Sequence, residues 1–234
     1  VIGRLALLSL FSVNLGLARA APDSARQASA GATPTAAPTV DGKPRAQPGS
    51  RRVLLVLGDS LSAEYGLARG SGWVALMTQR LSARSPDWEV VNASISGETT
   101  AGGRTRLPEL LARHKPHIVA IELGANDALR GLPLASTEGH LKDMVRLSKE
   151  AGARPMLIGM QVPPNYGKAY TEAFAALFKR LAEAQQIPWV PFLMEGFADR
   201  QEFFQADRIH PNEQAQSRML ETVWPVVSRM LSAR

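Results

Sequence analysis

Five short, largely apolar runs alternate with segments of helical spacing, and this alternation constrains the fold of the chain most strongly. The first run, Val-Leu-Leu-Val-Leu at 53–57, is apolar throughout and stops at Gly58-Asp59-Ser60, as expected of a strand buried on both faces of a parallel sheet. Further strands are predicted over 88–91, 117–123, 155–160 and 189–193, and Pro191 suits the last of them to a sheet edge. Trp73, Leu76, Met77 and Leu81 recur at helical spacing and predict a helix over 73–81. Other helices are expected over 102–114, with Pro108 near its first turns, and over 136–151, capped by Ser136 or Thr137 with Glu138 near the box position. Two more follow over 170–185 and 211–231, the second bent or broken at Pro225. Strands alternating with helices imply an α/β fold of three layers, α/β/α, around a central parallel five-stranded sheet. Ligands in such sheets bind beyond the carboxyl ends of the strands, so the loops after 57, 91 and 123 should meet on one rim.

The first 50 residues read differently. Arg4 precedes an apolar stretch over 5–18, and Ala18-Arg19-Ala20 follows as a small-residue cleavage signal. That stretch is shorter than the roughly 20 apolar residues a membrane-spanning helix needs, so 1–20 reads as a signal peptide, with an uncleaved anchor as the alternative. Residues 21–50 are rich in Ala, Pro, Thr, Ser and Gly without an apolar period and read as a flexible tether. The folded domain is then 51–234, expected to be secreted across the inner membrane into the periplasm as a monomer. The chain has no cysteine, which removes disulfides and thiolate chemistry. Its net charge of +6 divides evenly. Residues 1–50 hold five basic and two acidic groups, leaving 22 and 19 for the remainder, so each part carries +3. No basic run is interleaved with aromatics, and a nucleic-acid partner is not expected, although transient contact with an anionic membrane surface is.

Nucleophilic acyl transfer needs a hydroxyl, an imidazole to take its proton and a carboxylate to fix the imidazole tautomer. Ser60 offers the hydroxyl, and Asp207-Arg-Ile-His210 places an acid three residues before a histidine. The loops Asn92-Ala-Ser-Ile-Ser-Gly97 and Gly124-Ala-Asn126-Asp127 leave predicted strands and carry donors for an oxyanion. Each residue alone has an ordinary reading. Ser60 could be a turn residue, Asp207 a helix cap, Gly97 a positive-φ glycine, and Asn126 with Asp127 an Asx turn. His114 and His117 are separated by a proline and read as a surface connection, His140 as solvent-facing, and Met156, Met160 and Met194 as core filler. There is no Gly-x-Ser-x-Gly elbow and no phosphate-binding glycine loop.

The set resembles the SGNH/GDSL hydrolase superfamily, whose name-giving residues match Ser60, Gly97, Asn126 and His210, with the acid at Asp207. Gly58-Asp-Ser-Leu-Ser-Ala-Glu-Tyr-Gly-Leu67, Gly72-Trp-Val-Ala-Leu76, Pro163-Pro-Asn-Tyr-Gly167 and Asp207-Arg-Ile-His-Pro-Asn212 are similar to its secreted thioesterase, lysophospholipase and arylesterase branch. Glu64 departs from that branch, where Gly is frequent. The resemblance implies a flavodoxin-like fold and a serine esterase acting on carboxylic esters and thioesters through an acyl-serine. It needs no cofactor and no metal. The oxyanion would be held by Ser60, Gly97 and Asn126, and an acyl or aryl group by surroundings that include Leu61, Glu64, Leu129, Pro163 and Tyr166. A carbohydrate O-deacetylase on the same machinery and a non-catalytic envelope-binding module are the alternatives.

Overall fold

The computed structural model describes residues 51–232, so the expected signal peptide and tether lie outside the described residues. Strands β1 (Arg52–Gly58), β2 (Trp88–Asn92), β3 (Ile118–Glu122), β4 (Arg154–Ile158) and β5 (Trp189–Val190) form one sheet, all parallel, in the order β2-β1-β3-β4-β5. Leu54 to Leu57 and Ile118 to Ile121 are buried on both faces. That is why these strands read as unbroken apolar runs. Each leucine, isoleucine or valine among them contributes roughly 1.5–3 kcal/mol by leaving water.

Helices α1 (Trp73–Arg84) and α6 (Glu213–Ser232) pack together, and α2 (Thr100–His114), α4 (Leu134–Glu150) and α5 (Lys168–Gln185) pack as a second group. The sheet lies between them, with α1 against β2, α6 against β5, α2 against β1, and α4 and α5 against β4. The strand order reverses direction between β1 and β3. In an open α/β sheet that switch point is where a crevice opens beyond the strand ends. The loops after β1 and β3 carry Ser60 and Asn126 to it.

Several boundaries differ from expectation. Residues 124–127 do not form a plain loop, because α3 (Ala125–Leu129) begins directly after Gly124, whose φ of 120° turns the chain off β3. Helix α4 starts at Leu134 behind Pro133, and neither Ser136 nor Thr137 caps it. The Thr137 hydroxyl is instead buried and donates to Asp127 at 3.4 Å. Helix α2 begins at Thr100, capped by the Thr99 hydroxyl, which leaves Pro108 mid-helix rather than near its start. Helix α6 runs through Pro225 without a break. Pro225 lies on the exposed face, where the Glu221 carbonyl it leaves unpaired can turn to water. The β5 ladder is two residues long and ends before Pro191. His140 is half-buried rather than solvent-facing, with Nδ1 3.1 Å from the Thr100 hydroxyl. Among the described residues, no helix is long and apolar enough to cross a membrane.

Candidate active site

Ser60 sits on the turn that leaves β1. Asp59 builds this turn from its own oxygens, its carboxylate accepting Leu61 N–H at 3.0 Å and its carbonyl accepting those of Ser62 and Ala63 at 3.2 and 3.0 Å. The hydroxyl of Ser60 thereby stands half-exposed, 2.9 Å from His210 Nε2. His210 Nδ1 lies 2.6 Å from Asp207 Oδ2. The other Asp207 oxygen accepts the backbone N–H groups of Ile209 and His210 at 2.9 and 3.0 Å. One carboxylate therefore shapes the turn and orients the ring that the turn carries. Burial acts to raise the Asp207 pKa, but the backbone donors of His210 and Ile209, with the histidine ring, outweigh it and hold the value down at about 2. The Tyr65 ring covers the His210 imidazole with centroids 4.4 Å apart.

The loop after β2 brings Gly97 to the same rim. Its φ of 78° is open to glycine at little cost, and Arg130 donates to its carbonyl at 2.9 Å. The guanidinium thus fixes the Gly97 peptide against the end of α3. Asn126, on α3, donates from Nδ2 to Asp59 Oδ2 at 3.0 Å and keeps a second amide hydrogen. Among the described residues, the backbone N–H groups of Ser60 and Gly97 donate to no protein acceptor. Asp127 anchors α3 from behind by accepting the Thr100 N–H at 2.9 Å.

Beneath this rim lie two carboxyl groups that the sequence reading overlooked. Glu122 ends β3 opposite Gly58 and is fully buried. A Cβ on Gly58 would lie 2.7 Å from Glu122 Oε2, so glycine is required there for the acid to fit. Glu122 Oε2 accepts from the Ser62 hydroxyl at 2.7 Å and the Asp59 N–H at 3.3 Å, while Oε1 is buried without a partner. Burial, and then the charge of Asp59, hold Glu122 well above the carboxylate range. Burial also raises Asp59, to about 6, against the pull of Leu61 N–H, the Asn126 amide and His210. The two buried carboxyl groups therefore disfavour each other's ionised form, and burial pushes both toward the neutral acid.

Because the folded state binds the Asp59 proton more tightly than the unfolded chain does, the stability from this group falls as pH rises from about 4 to about 6. Asp59→Asn should flatten that portion of a Tm-against-pH curve. An unchanged slope would place the proton on another group.

The expected acyl-binding residues divide. Leu129 is half-buried, Pro163 and Tyr166 are exposed, and Tyr166 joins the other two through Oη to the Leu129 carbonyl at 3.4 Å and N–H to the Pro163 carbonyl at 3.2 Å. Leu61 is buried in the core, so it lends almost no surface to a ligand. Glu64 is half-buried and tied into its own loop. Its carboxylate accepts the N–H groups of Gly70, at 3.0 and 3.1 Å, and Gly72, at 2.9 Å, and its φ of 60° is one glycine adopts without strain.

The GDSL-like lipase/acylhydrolase family matches residues 56–218. The chain is 48% identical over 185 residues to esterase TesA of Pseudomonas aeruginosa, covering 79% of this chain and 92% of that protein. A crystal structure of TesA, 48% identical, superposes with a TM-score of 0.75 over 76% of this chain and 99% of that one. The arylesterase of Vibrio mimicus is 44% identical over 73% of this chain and 85% of its own length. Thioesterase 1/protease 1/lysophospholipase L1 of Escherichia coli is 44% identical over 70% and 77%, respectively.

Proposed function

From its place in the GDSL-like lipase/acylhydrolase family, to which the chain belongs, we propose that it hydrolyses carboxylic esters and thioesters through an acyl-enzyme on Ser60. The chain is an ester-hydrolysing enzyme acting on small ester substrates. The observation that carries the assignment of residues is the unbroken line from Ser60 Oγ to His210 Nε2 at 2.9 Å and from His210 Nδ1 to Asp207 at 2.6 Å.

Ser60 Oγ attacks the acyl carbon while His210 Nε2 takes its proton. Asp207 keeps the Nδ1 proton in place and stabilises the imidazolium that forms. The oxyanion is received by the Ser60 and Gly97 N–H groups and by the second amide hydrogen of Asn126, whose first is held by Asp59. The C–O or C–S bond to the leaving group then breaks as His210 returns the proton to it. Water, deprotonated by His210, attacks the acyl-serine and regenerates the free hydroxyl. The exposed, apolar surface of Leu129, Pro163 and Tyr166 suits one acyl or aryl group. Export into the periplasm is proposed on the Arg4, 5–18 and Ala18-Arg19-Ala20 pattern alone.

Asn126→Ala should lower kcat by roughly 10²–10³ with little change in KM, because the amide matters once charge has developed on the oxygen. Initial rates on a series of p-nitrophenyl esters and acyl thioesters test both the reaction and the residue. A loss confined to KM would make Asn126 a substrate ligand and leave the oxyanion to other donors.

A further inference from the structure

The hairpin that carries Asp207 and His210 has few ties to the nucleophile loop. It is closed by the antiparallel bridge of Phe204 with Pro211 and by Gln205 N–H donating to the His210 carbonyl at 2.8 Å. Its tip is strained, with Arg208 at φ 59°. Among the described residues, two hydrogen bonds join this hairpin to loop 59–72. One is the His210–Ser60 contact at 2.9 Å, and the other runs from Gln205 Nε2 to the Tyr65 carbonyl at 2.8 Å. The same Nε2 donates to the Pro211 carbonyl at 3.2 Å, so a single amide group spans both loops. The opposite wall is cut to receive it. A Cβ on Gly66 would lie 2.1 Å from Gln205 Oε1. Tyr65, whose carbonyl Gln205 holds, also lays its ring on His210.

We propose that Gln205 is a positioning residue, its side-chain amide fixing the spacing between hairpin and nucleophile loop so that His210 stays aligned with the reacting centre. The role is greatest in the second half of the reaction. In the free enzyme the Ser60 hydroxyl itself bonds His210. In the acyl-enzyme that oxygen is esterified and has no proton to donate. The Gln205–Tyr65 bond is then the one remaining hydrogen bond of the two, at the step where His210 must align an incoming water. A displacement of about 1 Å at such a site can cost on the order of 10²-fold in rate.

This inference rests on the reading of Ser60 as nucleophile and His210 as base, and the experiment separates the two. Gln205→Ala in the full chain should lower kcat for p-nitrophenyl butyrate about 10- to 100-fold. Its kcat/KM, which reports steps through acylation, should fall less. A burst of p-nitrophenol approaching one per active site should appear as acyl-enzyme accumulates. If Gln205→Ala does not fold, Gln205→Met is read in the same way, since it fills similar space without a donor. Turnover within twofold of the parent, an equal fall in kcat and kcat/KM without a burst, or unfolding of the methionine variant as well would each overturn the positioning role. Wild-type turnover in Ser60→Ala would instead overturn the underlying reading. A dead Ser60→Ala beside a normal Gln205→Ala would remove the clamp alone.

Discussion

Ser60→Ala should lower kcat by up to about 10⁶-fold while leaving the fold in place. The loss is large because the triad acts as a unit. Without the hydroxyl, His210 has nothing to activate, and Asp207 orients a base with no nucleophile. The fold should survive because the turn does not depend on the Ser60 side chain. Asp59 supplies the acceptors for Leu61, Ser62 and Ala63, and Asn92 secures the loop by donating to the Ser62 carbonyl at 2.7 Å. The Ser60 hydroxyl has one protein partner among the described residues, His210, and is half-exposed. Deleting it should cost no more than the roughly 0.5–1.5 kcal/mol of one net hydrogen bond. Purified variant and parent are compared for turnover of a p-nitrophenyl ester and for Tm. Near-parental turnover would sink the assignment of the nucleophile, and a collapsed Tm would make the kinetic result uninformative about chemistry.

The contrast between what could and could not be read beforehand follows from where each interaction is encoded. Strand β1 was legible because burial on both faces leaves an unbroken apolar run at Leu54 to Leu57, and β3 because Ile118 to Ile121 are apolar in the same way ahead of Glu122. Ser60, Gly97 and Asn126 were legible as candidates because parallel strands deliver their following loops to one rim, and Asp207 with His210 because an acid stands three residues before a histidine ahead of the last helix. Helix α3 was not, since five residues are too few to show a 3.6-residue period. The α4 cap differs from expectation because Thr137 looks like a capping residue locally, while its hydroxyl donates to Asp127 on the preceding helix α3. Nearness of Glu64 to Ser60 in sequence gives no sign of its hydrogen-bond partners, the amides of Gly70 and Gly72 in its own loop.

The Asp59–Glu122 pair shows the same limit more sharply. A carboxyl group inside the otherwise apolar run Ile-Val-Ala-Ile-Glu-Leu was a signal in plain view. A buried acid in a central strand must be protonated, paired or hydrogen-bonded. Its register opposite Gly58 was the missing part, and register is a property of strand pairing rather than of either strand. Gln205 and Arg130 were out of reach for the same reason. Each acts on a carbonyl in a different loop, 140 and 33 residues away in sequence.

Asp207→Asn should be nearly as damaging as loss of the nucleophile, on the order of 10⁴-fold in kcat, by the tautomer argument that applies to serine protease triads. The geometry makes the direction specific. Asp207 Oδ1 accepts the N–H groups of Ile209 and His210, at 2.9 and 3.0 Å, and only an oxygen can replace it there. The amide oxygen of asparagine therefore takes that place, and its NH₂ faces His210 Nδ1. Nδ1 must then present a lone pair, which puts the ring proton on Nε2, pointing at Ser60. The hairpin keeps its shape, the distance to Ser60 is unchanged, and the base is occupied by the proton it should be free to accept. Raising the pH should not restore activity, because the fault lies in the tautomer and not in the charge. Nor does the Asp207 carboxyl of the parent enzyme titrate in the working range, since its pKa is held at about 2. The measurement is kcat from roughly pH 5 to 9, together with Tm, for parent and variant. Recovery of the parental rate at high pH would mean that Nδ1 keeps its proton without a carboxylate, and that Asp207 serves the hairpin turn and not the chemistry.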